Sequence, residues 1–121
     1  MNKTLLIVDD EKHMLRLLEF NLNKVGCSII TSTSGQDALL KATSETIDLL
    51  IIDYQMPDFN GLKTISELRN FPKYEKLPII LLTARGQISI RDEAMGLGVS
   101  RFFTKPFSPT ELLEAVKQLL A

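Results

Sequence analysis

The chain has one cysteine, Cys27, so it can hold no disulfide of its own. Cys27 reads as a small core or half-buried residue. One histidine, His13, leaves no Cys/His cluster for zinc or copper. It falls in the first helical turn after an acidic pair and reads as a solvated helix residue. Six glycines and five prolines are too few for a flexible linker or a collagen-like repeat. Neither sign of charge dominates: 14 basic and 15 acidic residues give a net charge of -1. Duplex nucleic acid is bound mainly through a basic surface, so direct binding by this chain is not expected. No stretch approaches the ~18 consecutive apolar residues of a membrane span. The opening MNKTLLIVDD meets two acids too early for a signal peptide, whose apolar region runs ~7–15 residues. A cytoplasmic location is expected.

What remains is an ordinary globular composition, 45% apolar and 24% charged over 121 residues. A chain of this length buries about two thirds of its unfolded surface and needs no metal or disulfide staple to fold. Three apolar runs dominate: Leu5 to Val8, Leu49 to Ile52 and Ile79 to Leu82. None alternates with polar residues, which is the pattern of strands covered on both faces. Ser28 to Thr33 and Arg101 to Thr104 are weaker strand candidates.

Helical patterns fill the gaps. Leu15, Leu18, Leu22 and Val25 share one helical face, and Gly26 follows as a stop. Gln36 to Ala42 is a shorter candidate. Leu62, Ile65 and Leu68 mark a helix after Gly61, ended by Pro72. Gln87 to Leu97 has the poorest apolar stripe and suits a helix that moves. The last helix has Ser108 as N-cap, Pro109 at its first position and Glu111 to complete a capping box. Leu112, Leu113, Val116, Leu119 and Leu120 are its expected buried face. Five β-α units imply an α/β fold with a parallel sheet and helices on both faces. The pattern ends with the fifth helix, so one domain over residues 1–121 is expected.

The chemistry sits where the strands stop. The first run ends in Asp9 and Asp10, the third strand in Asp53, the fourth in Thr83 and the fifth in Lys105. In an open parallel sheet, ligands bind beyond the carboxyl ends of the strands, near the point where strand order reverses. Two carboxylates ~4 Å apart repel by about 4 kcal/mol at an effective dielectric of ~20. Either one is protonated or a cation fills the gap. Magnesium suits an all-oxygen site and takes one or two carboxylates, waters and a phosphate. Lys105 and Thr83 add a cation and a hydroxyl donor for a phosphoryl group, and an Asp held there can become an aspartyl phosphate.

With LLIVDDE at 5–11, IIDYQMPDFNG at 51–61, LLTARG at 81–86 and FFTKPF at 102–107, the whole chain resembles the receiver domain of two-component response regulators. The single-domain chemotaxis regulator is one type of that family. The resemblance implies a flavodoxin-like, doubly wound fold with strand order 2-1-3-4-5. It implies that Asp53 accepts a phosphoryl group from a sensor histidine kinase, a histidine phosphotransfer protein or a small donor such as acetyl phosphate. Asp10 matches the direct magnesium ligand and Asp9 the ligand acting through water, with Asp53 and the backbone carbonyl of Gln55 completing the set. Manganese is expected to substitute. Thr83 and Lys105 match the groups that follow the phosphoryl group, and the Lys105–Pro106 bond is expected to be cis. Pro57 and Gly61 shape the loop after Asp53, and the small Ala84 leaves room for the phosphate. Phe102 falls at the switch aromatic, coupled to Thr83, and lacks the hydroxyl of the usual Tyr; Phe103 fits core filling better. Gln55 and Arg85 occupy the positions that tune phosphoryl lifetime. The kinase is expected to dock near the first helix and the loop after the fifth strand. The surface of the fourth helix, fifth strand and fifth helix then meets an output partner.

Ser100, Arg101 and Thr110 stand where DNA-binding members carry the residues of a charged dimer face. A stand-alone or differently connected receiver is therefore expected, as a monomer or a weak phosphorylation-dependent dimer. Catalysis is expected to be limited to the chain's own phosphorylation and dephosphorylation. Three rivals share parts of the pattern. A flavin electron carrier would replace the acidic DDEKHM with a Ser/Thr/Gly-rich loop. A small-molecule phosphatase would need an acid in place of Gln55 and a cap segment. A degenerate receiver, used only for interaction, would have lost an acid, the hydroxyl or the lysine.

Overall fold

The three apolar runs are strands buried on both faces, and the rest of the chain is arranged to cover them. The computed structural model describes residues 2–56, 58, 60–84 and 88–121, with the backbone alone for Ile88. The strands are β1 (Thr4–Val8), β2 (Ser28–Ser32), β3 (Leu49–Asp53), β4 (Ile79–Ala84) and β5 (Arg101–Lys105). They form one parallel sheet in the order β2-β1-β3-β4-β5. The helices are α1 (Lys12–Leu22), α2 (Gly35–Ser44), α3 (Gly61–Arg69), α4 (Arg91–Gly96) and α5 (Pro109–Leu120).

Strand side chains alternate between faces, so each central strand feeds two cores. Leu5, Ile7, Leu49, Ile51, Ile80 and Leu82 meet Leu15, Leu18 and Leu22 of α1 and Leu112, Ala115 and Val116 of α5. Leu6, Val8, Leu50, Ile52, Ile79 and Leu81 meet Ala38 and Ala42 of α2, Leu62, Ile65 and Leu68 of α3, and Ala94 of α4. The flavodoxin-like topology is therefore the one the resemblance implied.

The helix boundaries differ from the sequence pattern where local geometry overrides it. α1 stops at Leu22, and Asn23–Val25 tightens into a 3-10 turn before Gly26, whose φ of 82° needs glycine. Pro72 does not end α3 but opens a separate 3-10 turn, Pro72–Tyr74. The expected helix over 87–97 is a 3-10 turn at Ile88–Ile90 followed by the six-residue α4, and Gln87 lies outside the described residues. Its sequence offers no apolar stripe at helical spacing; Ala94 is its buried residue, while Met95 is exposed. In α5 the Ser108 hydroxyl accepts from the Glu111 N–H at 3.2 Å, as an N-cap should. Its buried residues are Leu112, Ala115 and Val116; Leu113, Leu119 and Leu120 are only half-buried at the rim of the core.

Two side chains tie the α2–α4 layer together. Arg69, at the end of α3, donates to the carbonyls of Leu97, Gly98, Tyr74 and Leu77 at 2.8–3.0 Å. It thereby joins the C-terminal end of α4 to the entry of β4. The Tyr74 ring is buried; its hydroxyl accepts from the Ile47 N–H at 3.2 Å and lies 2.6 Å from the Ala42 carbonyl. Tyr74→Phe keeps the ring but leaves a buried amide and carbonyl without that partner. Urea denaturation is expected to show a loss of about 1–3 kcal/mol; an unchanged midpoint would mean that water replaces the hydroxyl.

Candidate functional site

β1 and β3 are neighbours in register, Val8 opposite Ile52, so the residues that follow them end side by side. Asp9 is fully buried at the end of β1, and Asp53 is 6% exposed at the end of β3. β5 lies beyond β4, with Lys105 opposite Ala84. The lysine side chain must cross the tip of β4, where alanine puts little in its way. It does cross: Lys105 Nζ lies 3.0 Å from Asp9 Oδ2 and 3.3 Å from Asp53 Oδ2. Asp9 Oδ1 accepts from the Glu11 N–H at 3.0 Å, so each oxygen of this buried carboxylate has a donor. The Lys105–Pro106 peptide bond is cis.

Carboxylate oxygens of Asp9, Asp10 and Asp53 all lie within 4.8 Å of one another. Asp10, Asp53 and Lys105 border a cleft of about 680 Å³, lined on one wall by Tyr54, Gln55, Met56 and Asn60, with Asp9 buried behind it. That wall is a loop closed at its base, where the Gly61 N–H donates to the Tyr54 carbonyl at 2.7 Å. A Cβ on Gly61 would stand 2.5 Å from the Asp53 carbonyl oxygen, so only glycine fits there. Asn60 caps α3 by accepting from the Lys63 N–H at 2.9 Å.

Burial is the main force on the Asp53 carboxyl and pushes it up to about 6. The Lys105 ammonium pulls it down, and the Asp9 charge adds to the rise. Burial also works against the Lys105 ammonium, but its hydrogen bond to Asp9 and the charges of Asp9 and Asp53 outweigh that and raise it. Two carboxylates share one ammonium here and the exposed Asp10 lies beside them; the three donors are hard oxygens, with no nitrogen or sulfur ligand among them. That donor set fits magnesium.

Thr83 is buried in β4 and is not among the residues lining the cleft. By strand alternation it lies on the same face as Leu81, toward α2–α4. Phe102 is half-buried against that same layer, with the Arg91 guanidinium 5.8 Å from its ring centroid. Phe103 is in the opposite core. His13 is exposed, 3.8 Å from Glu11. Cys27 is half-buried, and burial pushes its thiol up. Pro57 and Arg85 lie outside the described residues. One contact had no local signal in the sequence: Asp58 accepts from the Gly35 and Gln36 N–H groups at 3.1 and 2.8 Å.

The raised Asp53 carboxyl has a consequence for the metal-free chain. Its folded value is about 6 against the usual 3.8, so between the two the folded state holds the proton more often than the unfolded state. Stability therefore falls as pH rises through that window. Asp53→Asn is expected to raise metal-free stability at about pH 7 by roughly 1–2 kcal/mol and to flatten that decline. Urea denaturation in chelator at several pH values measures both, and identical pH profiles for the two proteins would rule the effect out.

A family model described as the response regulator receiver domain matches residues 5–117. The chain is 38% identical to the alkaline phosphatase synthesis transcriptional regulatory protein PhoP of Bacillus subtilis, over 99% of this chain and 49% of that protein. It spans about half the length of the curated transcriptional regulators it matches. Among solved structures, a putative response regulator from Chloroflexus aurantiacus superposes with a TM-score of 0.92 at 35% identity, covering 99% of this chain and 98% of that one. The chemotaxis response regulator CheY4 of Vibrio cholerae gives 0.91 at 28% identity, covering 99% and 100%. Among the described residues, no helix is long and apolar enough to cross a membrane. Receiver domains bind magnesium at an acidic cluster, and Asp9, Asp10 and Asp53 form one here. A match over nearly the whole sequence, on this topology, establishes the family: the chain is a response regulator receiver domain, a phosphoacceptor module of two-component signalling.

Proposed function

We propose that Asp53 is the phosphoacceptor of this chain. The observation that supports this most is its carboxylate at the floor of the cleft, 3.3 Å from Lys105 Nζ and beside two further acids. With its carboxyl near 6, Asp53 is mostly ionised at about pH 7 and is a competent nucleophile. One carboxylate oxygen attacks phosphorus, the P–N bond of the donor phosphohistidine breaks, and the leaving imidazole nitrogen takes a proton from solvent. Asp10, Asp53 and the backbone carbonyl of Gln55 would hold magnesium, with Asp9 acting through water, and the bound ion would offset charge on the phosphoryl oxygens; manganese would substitute. Lys105, already held between Asp9 and Asp53, follows the charge as it moves onto those oxygens.

Thr83 then turns its hydroxyl toward the phosphoryl group, and Phe102, on the same face of the sheet, moves inward. The bistable pair changes the surface of α4, β5 and α5 that an output partner reads. The donor is a sensor histidine kinase or a histidine phosphotransfer protein, and the output is a protein or effector domain rather than direct nucleic-acid binding. Residues 1–121 act as one cytoplasmic receiver domain, a monomer or a weak phosphorylation-dependent dimer. The catalysis is limited to its own phosphorylation and dephosphorylation. Gln55 and Arg85 set the lifetime of the aspartyl phosphate.

Intact mass after incubation with acetyl phosphate and magnesium tests the assignment. Wild type is expected to gain about 80 Da and Asp53→Asn nothing. A gain in both would move the acceptor elsewhere. A gain in neither, together with failure to bind beryllium fluoride, would favour a role in interaction alone. Arg85→Ala is expected to shorten the lifetime of the adduct in a dephosphorylation time course, and an unchanged rate would remove Arg85 from the account.

A further inference from the structure

The first turn of α2 has an unusual source of partners. An α-helix begins with N–H groups that no intrahelical carbonyl can accept. In α2, Ser34 supplies the near cap: its hydroxyl accepts from the Asp37 N–H at 3.1 Å. The two preceding N–H groups, of Gly35 and Gln36, both donate to the carboxylate of Asp58, at 3.1 and 2.8 Å, one to each oxygen. Asp58 belongs to the loop between β3 and α3, whose Tyr54, Gln55, Met56 and Asn60 line one wall of the cleft. The base of that loop is fixed by the Tyr54 N–H on the Leu82 carbonyl at 2.8 Å and the Gly61 N–H on the Tyr54 carbonyl. Asp58 anchors its far side, on a different helix. Its charge also suits the positive end of the α2 dipole. The α2 end is in turn tied to the acid cluster, since the Asp9 N–H donates to the Ser32 carbonyl at 3.1 Å and Ser32 Oγ lies 2.7 Å from Asp37 Oδ2.

We infer that Asp58 is a positioning residue: by bridging the site loop to the first turn of α2, it holds the backbone at Gln55 in place for the cation. The inference rests on the site proposed above. Without the bridge the loop still closes at Tyr54 and Gly61, and the Gln55 N–H still donates to the Asp53 carboxylate, but the tie from Asp58 to α2 is lost. More of the loop's ordering would then fall to the metal, and affinity would drop.

Magnesium titration by calorimetry, below the melting temperature of every variant, is the test. Asp58→Ala is expected to weaken magnesium binding about 10-fold, the lower end of the range for removing a ligand-orienting partner. Asp58→Asn keeps one accepting oxygen and is expected to lose less. Ser34→Ala removes a cap from the same turn without touching the site loop, so it is expected to cost stability and leave the affinity unchanged. Hydrogen exchange should show faster exchange at Gly35 and Gln36 in Asp58→Ala. Equal affinities for wild type and Asp58→Ala would overturn the inference and leave the site intact, as would an equal loss in Ser34→Ala. No magnesium binding by wild type would overturn the site and the inference together.

Discussion

Asp9 and Asp53 are both withdrawn from water and share one ammonium, that of Lys105. Breaking a buried pair by removing one partner costs about 3–5 kcal/mol, because an uncompensated charge is left inside. Here the imbalance is present from the start, since two carboxylates share that ammonium and the exposed Asp10 adds a third beside them. The chain carries a local cost that a bound divalent cation would relieve. Folding must therefore be secured elsewhere, and the two apolar layers secure it.

The sheet order is what makes the cluster possible. β1 and β3 are neighbours, so their terminal acids meet without any loop having to place them. Lys105 arrives from two strands away and depends on a small residue at the tip of β4. The loop after β3 depends in turn on Gly61, which lets its own backbone close over the carbonyl of Asp53. The same strands that carry these groups carry Thr83 and Phe102 on the α2–α4 face. That face holds the shortest helix, and Arg69 grips only its C-terminal end.

Much of this was legible in the sequence because it is local or periodic. Unbroken apolar runs such as Leu49 to Ile52 mark buried parallel strands, and the acids that end them mark the site edge. The cap of α5 is written in three neighbouring residues, Ser108, Pro109 and Glu111. The parts that were not legible are set by residues far apart in the chain. Asp58 meets α2 across 22 positions, and Arg69 meets Leu97 across 28. No spacing rule connects such pairs; only the assembled layers do. The helix faces were legible on α1 and α3, where Leu15, Leu18, Leu22, Leu62, Ile65 and Leu68 are all buried, and only in part on α5. On α5, Leu112 and Val116 are buried as the spacing predicts, but the smaller Ala115 is buried too while Leu113, Leu119 and Leu120 are only half-buried. The weak stripe over 87–97 identified the poorest helix without showing how short it would be.

The pairing of Lys105 with two acids also bears on how β5 finds its alignment. β5 places Phe102 and Phe103 in succession, one on each face of the sheet, and both faces are apolar. Sliding β5 by one residue along β4 would turn each ring to the other face and bring Arg101 or Thr104 to the level of a ring, which burial already penalises. The charge adds a second penalty. The same slide turns Lys105 away from Asp9 and Asp53 and leaves buried carboxylates with no cation. The lysine thus acts as a register pin for the strand, penalising a misaligned sheet before any ligand has been met.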